Sequence, residues 1–337
     1  MNKNKIFIIA EAGVNHNGSL KNALKLVRIA KKCGADAIKF QLFNMFEQIS
    51  KNAPTAPYQK KRTSKKNMLE MARSYNLDWN EHVKIKNYCM RLKIEYMASC
   101  FDSKSVDFYK EKLKANQIKI ASSEIDNHKL LKYINKKFKK VILSTGMANL
   151  NEINKARKLL KKVKHLVIMQ CTSLYPTPIE DLNLIYIDYF KKKYNLEVGL
   201  SDHTRSNIPS LVSLGLGAKY LEKHFTISKT LKGPDHSMSL NPNELKKYIN
   251  NIRIAEKCFG YLNNKPTSKE KKIIKFSRRG LFSSKFLRKG KKINLNDLVY
   301  KRPASYMSIS EEKQILGKRI NKNLMSDQPI LKKYFKK

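Results

Sequence analysis

Short apolar runs and longer amphipathic runs alternate along the first 260 residues of this chain. KIFIIAEAG (5–13), AIKFQLF (37–43), EYMASCF (95–101), QIKIASSE (117–124), KVILSTG (140–146), HLVIMQCTS (165–173), VGLS (198–201) and YLEKHFT (220–226) each read as a buried strand bounded by polar turn residues. Between them lie runs with apolar positions three and four apart, the pattern of a helix with one buried face. These are LKNALKLVRIAKKCG, which Gly34 closes, then WNEHVKIKNYCMRLK, SKSVDFYKEKLK, NHKLLKYINKK, NLNEINKARKLLKKVK, IEDLNLIYIDYFKKKY, NIPSLVSLGLG and NELKKYINNIRIAEKCFG. Residues 44–78, with Pro54 and Pro57, form a polar insertion too long for an ordinary connection, which predicts an active-site loop.

Eight strand–helix units in this length predict a parallel (β/α)8 TIM barrel. An open doubly wound sheet rarely runs through eight units unbroken, and no GxGxxG follows the first strand to mark a dinucleotide site. After Gly260 the pattern changes to short strands separated by Gly and Asn turns, with one short helix at SEEKQILG. The division predicted is a barrel over 1–262, a polar linker over 263–279 and a small, mostly β domain over 280–337. That last segment is thin in apolar positions.

Charge changes this picture little. A surplus of Lys and Arg gives a formal net charge of +43, yet the lysines lie on the outward positions of nearly every helix. They form no patch with interleaved aromatics and no nucleic-acid-binding motif, so specific nucleic-acid binding is not expected. Five scattered cysteines without a CxxC pair fit a reducing compartment. No stretch has the length of a membrane span, and the N-terminal apolar run is too short for a signal peptide. The expectation is a cytoplasmic protein.

The polar residues at the predicted strand ends carry the chemistry. On a strand alternate residues share a face, so Ser201 points with His203 and Glu222 with His224. Two imidazoles on neighbouring strand ends supply half of a divalent-metal site with positions open to water or substrate. Glu11, Lys39, Gln41, Ser99, Lys119, Ser122, Ser123, Glu124, Ser144, Thr145, Thr172, Ser173, Tyr175 and Asp235 fall at the same end. Two lysines inside strand sequences imply an anion to meet them, because a buried unpaired ammonium is costly. Lysines, hydroxyls and turn amides together suit a phosphate and a carboxylate. The pattern predicts a metal-assisted reaction between a carbonyl compound and an anionic, phosphorylated partner. Two other classes are open: a pyruvate aldolase using Lys119 or Lys39 as a Schiff base, and a noncatalytic polyanion-binding protein.

The segments IAEAGVNHNGS, AIKFQ, KIASSE, VILSTGMA, CTSLYPTP, GLSDHT, EKHFT and GPDHSMSL, followed by RRGLFSS and KRP, closely resemble the bacterial sialic acid synthase family. That family includes N-acetylneuraminate, legionaminic and pseudaminic acid synthases. The resemblance runs through nearly the whole chain. It implies a TIM barrel with a C-terminal antifreeze-like (SAF) domain and a domain-swapped homodimer. It also implies condensation of phosphoenolpyruvate with an N-acylated amino sugar, N-acetylmannosamine or a diacetamido-trideoxy hexose. By the same resemblance, His203 and His224 hold a divalent metal, usually Mn2+, with Mg2+ or Co2+ as alternatives. Lys39, Gln41 and Glu124 line the carboxylate and enol carbon of phosphoenolpyruvate, and Lys119, Ser122, Ser144, Ser173 and Ser201 hold its phosphate. Glu11, Tyr175 and Asp235 face the sugar, Glu11 also managing protons, and Arg302 reaches from the small domain into the partner's barrel.

Two departures stand out. Ser122-Ser123-Glu124 replaces the usual SGE, and KRPASYMSIS replaces the Gly-rich KRPGxGIS form. The retained NHNG and GPDH segments favour a neuraminic or legionaminic product over a pseudaminic one.

Overall fold

A computed structural model describes residues 5–44, 48–50, 53–54, 67–260 and 264–335. Its backbone divides into two compact units, Met1–Gly260 and Tyr261–Lys337.

In the first unit eight parallel strands close into a barrel in chain order. They are β1 (Phe7–Gly13), β2 (Ala37–Leu42), β3 (Glu95–Cys100), β4 (Gln117–Ile120), β5 (Lys140–Ser144), β6 (His165–Cys171), β7 (Glu197–Asp202) and β8 (Tyr220–His224). The nine helices described in this unit include two in the long β2–β3 connection, α2 (Met68–Tyr75) and α3 (Trp79–Leu92). The others are α1 (Leu20–Cys33), α4 (Ser103–Asp107), α5 (His128–Lys137), α6 (Leu150–Leu159), α7 (Ile185–Tyr194), α8 (Ile208–Gly215) and α9 (Pro242–Cys258). The helices start where side chains can cap them. Asp78, Asn149 and Asn241 each accept from a backbone N–H three residues on, and a glutamate there reaches back. Gly34 ends α1 in the left-handed conformation, at φ 93°.

Outward strand residues and the helix faces form one apolar layer around the barrel, including Ile8, Ile38, Ile118, Val141, Ile168 and Leu221. The inward residues make a second, smaller core of Ile9, Ala37, Met97, Ile142, Val167, Met169 and Tyr220. Gly199 serves this packing, since a Cβ there would sit 2.8 Å from the Cβ of Tyr220. The barrel is therefore plugged with hydrocarbon below, and its polar residues stand above that plug at the C-terminal ends of the strands.

Two expectations need correction. The polar insertion over 44–78 is not all loop, because it includes α2, which Asn67 caps; its Pro57 lies outside the described residues. The stretch read as a linker over 263–279 contains a helix, α10 (Ser268–Ser277), whose Thr267–Glu270 capping box is a start signal equal to those in the barrel. In the second unit β9 (Gly280–Ser283) and β10 (Leu298–Lys301) pair antiparallel. A 3-10 turn at Ile309–Gln314 stands where the short helix was expected. Leu281, Leu287, Ile293, Leu298, Met307, Ile315, Ile320, Leu324 and Ile330 make this unit's own core. No helix among the described residues is long and apolar enough to cross a membrane.

Candidate active site

Barrel register decides which polar side chains meet. Glu11 on β1 is the Cα partner of Lys39 on β2 and of His224 on β8, and Ser201 on β7 is the partner of Glu222 on β8. Ser99 on β3 likewise pairs with Lys119 on β4. All of these face the barrel axis above the apolar plug, and all are buried.

The charges form one network with Glu222 at its centre. One oxygen of Glu222, Oε1, lies 3.2 Å from Lys119 Nζ and 3.5 Å from Lys39 Nζ, and accepts the Ser201 hydroxyl at 3.2 Å. Lys39 also reaches Glu11 Oε2 at 3.0 Å and donates to Ser99 Oγ at 3.1 Å. The two carboxylates share one ammonium yet diverge. Burial pushes the Glu11 carboxyl up, Lys39 pulls it back and the Glu222 charge raises it again, leaving it at about 7. Burial also acts on Glu222, but Lys119 and Lys39 together outweigh it and hold that carboxyl at about 2. Burial lowers Lys119 below the usual lysine range, whereas in Lys39 the pull of Glu11 and Glu222 exceeds burial and raises it. Glu222 thus anchors two lysines, and Glu11 is left able to exchange a proton near neutral pH.

Beside this layer stand the two histidines, their ring centroids 5.4 Å apart. His203 Nδ1 is 2.9 Å from the carbonyl of Thr172, a contact that places the N–H on that nitrogen and leaves the other free to bind. Burial, then the neighbouring His203, drives His224 far below the usual histidine range, so its ring is neutral. Its Nδ1 is buried without a hydrogen-bond partner among the described residues. Two imidazoles with an unsatisfied buried nitrogen fit a divalent cation as half of its ligands. Among the described residues no third His, Cys, Asp or Glu completes a cluster with them, so water and substrate would fill the remainder. Tyr175 packs over this pair, its ring 4.2 Å from His203 and 5.9 Å from His224. Gly13, at φ 50°, leaves open the space between Glu11, His224 and Asp235: a Cβ there would meet all three within 3.7 Å.

A third feature lies on the β4–β6 side. The N–H of Gly146 donates to Ser122 Oγ at 3.0 Å, and a Cβ on Gly146 would come within 2.3 Å of Ser173 Oγ and 2.8 Å of Ser122 Oγ. Two hydroxyls and a glycine after a strand end form a concavity suited to an anion. Cys171 joins it, its Sγ 3.9 Å from both Ser173 Oγ and His203 Nδ1. Burial favours the neutral thiol, but His203 and Ser122 outweigh it and bring Cys171 to about 7. Ser144 is buried nearby on β5, its hydroxyl without a hydrogen-bond partner among the described residues. A cavity of about 910 Å3 is lined by Cys171, Thr172 and Ser173 together with Tyr186 and Phe190, and by none of the site lysines or histidines.

The predicted residues are thus brought together in three adjoining groups, with qualifications. Ser201 spends its hydrogen on Glu222 rather than keeping it for a phosphate. Glu124 is held by Ser123 at 3.1 Å and Asn127 at 2.8 Å, and Gln41, next to last in β2, is half-buried on the Lys39 face. Arg302 belongs to the second unit, where its Nε donates to the Ser277 carbonyl at 2.8 Å. Cys171 escaped the sequence pattern, and Glu222, which strand alternation puts on the inward face with His224, had no role assigned to it.

The NeuB family profile matches residues 26–264. The chain is 41% identical to the N,N'-diacetyllegionaminic acid synthase of Campylobacter jejuni, over 97% of this chain and 99% of that one. It is 33% identical to the pseudaminic acid synthase of the same species, over 95% and 94%. The solved N-acetylneuraminic acid (sialic acid) synthetase of Leptospira borgpetersenii, in complex with citrate, matches 80% of this chain and 90% of its own, at 32% identity and a TM-score of 0.71.

Proposed function

This chain belongs to the NeuB family, and on that premise we propose that its barrel condenses phosphoenolpyruvate with a diacetamido-trideoxy hexose, forming a nonulosonic acid of the legionaminic type. The reaction class is that of a phosphoenolpyruvate-dependent nonulosonic acid synthase. The choice of acceptor rests on the higher identity to the legionaminic than to the pseudaminic enzyme. The observation that carries the chemistry is the buried pair Lys39 and Lys119 on Glu222, at the same strand ends as a hydroxyl cradle and an imidazole pair.

In this reading Lys39, Gln41 and Glu124 receive the carboxylate and enol carbon of phosphoenolpyruvate. Lys119 and the cradle of Ser122, Ser144, Ser173 and the Gly146 turn receive its phosphate, with Ser201 acting through Glu222. Tyr175 and Asp235 orient the sugar over Gly13. The π electrons of phosphoenolpyruvate bond carbon 3 to the aldehyde carbon as the aldehyde C=O opens to an alkoxide, water adds to carbon 2 with loss of a proton, and the carbon–oxygen bond to phosphate breaks as the carbon 2 ketone forms. Near neutrality Glu11 can take the proton from the attacking water or give one to the alkoxide oxygen, which becomes the new hydroxyl. His203 and His224 would hold a divalent cation, with Mn2+ the expected ion; polarisation of the sugar carbonyl is the chemistry it supplies there. A homodimer in which Arg302 enters the partner's site, and a cytoplasmic setting, belong to the same proposal.

The test is phosphate release from phosphoenolpyruvate with a panel of acceptors. A diacetamido-trideoxy hexose of the legionaminic series should be used with the highest kcat/KM, and N-acetylmannosamine more slowly. Higher kcat/KM with N-acetylmannosamine would overturn the choice of acceptor. Absence of phosphate release with every acceptor, in the presence of Mn2+, would overturn the reaction.

A further inference from the structure

Two charged residues stand on the outer side of the barrel wall, and the role inferred for them rests on the reading of His203 and His224 as a cation site. Along β7 and β8 alternate residues face opposite sides. Ser201, His203, Glu222 and His224 face the axis, so Asp202 and Lys223 face the helix layer. They are Cα partners across the two strands, and Lys223 Nζ lies 2.8 Å from Asp202 Oδ2 with both side chains withdrawn from solvent.

This pair is tied to the turn that leaves His203. Lys223 Nζ reaches the Thr204 carbonyl at 2.6 Å, the Ser206 carbonyl at 3.0 Å and Thr204 Oγ1 at 3.2 Å. Asp202 Oδ1 accepts the Thr204 N–H at 2.8 Å, and Oδ2 accepts the Ser210 hydroxyl at 3.0 Å. Ser210 in turn lies 2.9 Å from the hydroxyl of Tyr248 on α9. The backbone immediately after one histidine is therefore bound to the side chain immediately before the other.

Core stability does not require such an arrangement. Neighbouring outward positions on these strands are Val198, Leu200 and Leu221, all buried and apolar. A buried ion pair commonly contributes no more than a well-packed hydrocarbon pair of similar volume, because desolvation offsets the attraction. What the ion pair adds is direction, through short bonds to backbone groups of one turn. We infer that Lys223 and Asp202 are positioning residues for the cation site: together they set where His203 stands relative to His224, and so the affinity for a divalent ion. Groups that hydrogen-bond a metal ligand and fix its orientation commonly tune metal affinity by about 10–100-fold, and this pair acts on His203 one step further out, through the turn that follows it.

The experiment measures Mn2+ binding to the full-length protein by isothermal titration and by the electron paramagnetic resonance signal of free Mn2+. Melting temperature is followed in parallel. Lys223→Met leaves the Asp202 charge without its ammonium partner and should lose both stability and roughly 10–100-fold in Mn2+ affinity. The double variant Lys223→Met/Asp202→Leu replaces the pair with hydrocarbon. It should regain the melting temperature without regaining the affinity, a separation that a merely structural pair would not produce. Wild-type Mn2+ affinity in a folded double variant overturns the inference. If the double variant does not fold, Asp202→Asn decides, because it keeps shape and removes charge: affinity within about twofold of wild type again overturns the inference. His203→Ala distinguishes the cation site itself from the positioning of its ligands. If it still binds Mn2+ at full stoichiometry, the cation site itself is misassigned; if it loses Mn2+ while the double variant does not, only the positioning role fails.

Discussion

Glu222→Gln tests the central claim about the charged layer. The substitution keeps the shape of the side chain and removes the charge that Lys39 and Lys119 share. The Glu222 carboxyl sits at about 2 against an ordinary 4.5. That displacement corresponds to on the order of 3 kcal/mol of stabilisation of the folded state. Because the folded value is depressed, the contribution is fully present above about 4.5 and is lost only as pH falls through about 2, so at pH 7 the substitution removes all of it. At about 2 °C per kcal/mol for a unit of this size, the variant should melt roughly 6 °C below wild type. The deficit should then shrink when phosphoenolpyruvate is added. With Glu222 neutral, Glu11 beside Lys39 is the one carboxylate left in ion-pair contact with the two buried ammonium groups among the described residues, and an anionic ligand supplies the missing charge. Binding to the folded state alone stabilises it in proportion to affinity. Phosphoenolpyruvate should therefore raise the melting temperature of the variant more than that of wild type, closing roughly half of the gap. Scanning calorimetry at pH 7 with and without phosphoenolpyruvate is the assay. A variant that melts with wild type, or a gap indifferent to the ligand, would refute the network as described.

Three further outcomes are expected. Gly146→Ala pushes a methyl group to within 2.3 Å of Ser173 Oγ, so phosphoenolpyruvate should bind at least about 10-fold more weakly, by calorimetric titration, while circular dichroism stays that of wild type. Glu11→Gln should lower kcat by about 10²-fold with phosphoenolpyruvate affinity nearly unchanged, and should abolish the limb of the pH–rate profile near 7; normal turnover would make Glu11 structural. His16 and His82 are driven by burial to about 3 and about 4, so both stay neutral in the fold but charge in the unfolded chain below 6.5. Their stabilisation is present above 6.5 and falls with pH, by on the order of 3 kcal/mol per unit for the two together between roughly 6 and 4. Glu11, raised to about 7, works in the opposite sense, its contribution lost as pH rises through 7. Urea unfolding from pH 7.5 to 5 should show a net loss, and a steeper one in Glu11→Gln.

Much of this protein is written locally. Strand and helix periods, capping residues such as Asn149 and Asn241, and the recurrence of eight units together require a barrel. The period of two along a strand assigns Glu11, Lys39, Lys119, His203 and His224 to its inner face, because that alternation needs no knowledge of any other strand. The helix Ser268–Ser277 was equally legible in its capping box, but its charged composition hid an amphipathic face and made it read as a linker. Which inward residues touch was not legible. Lys119 and Glu222 stand 103 positions apart, and only closure of the barrel in its particular register brings both lysines to one carboxylate. The same closure pairs Asp202 with Lys223 behind the histidines and sets Gly146 against Ser122 and Ser173. Local pattern determines which way a side chain points. Only the closed sheet decides what it meets there, because a charge among several neighbours takes its state from the partners that share its burial.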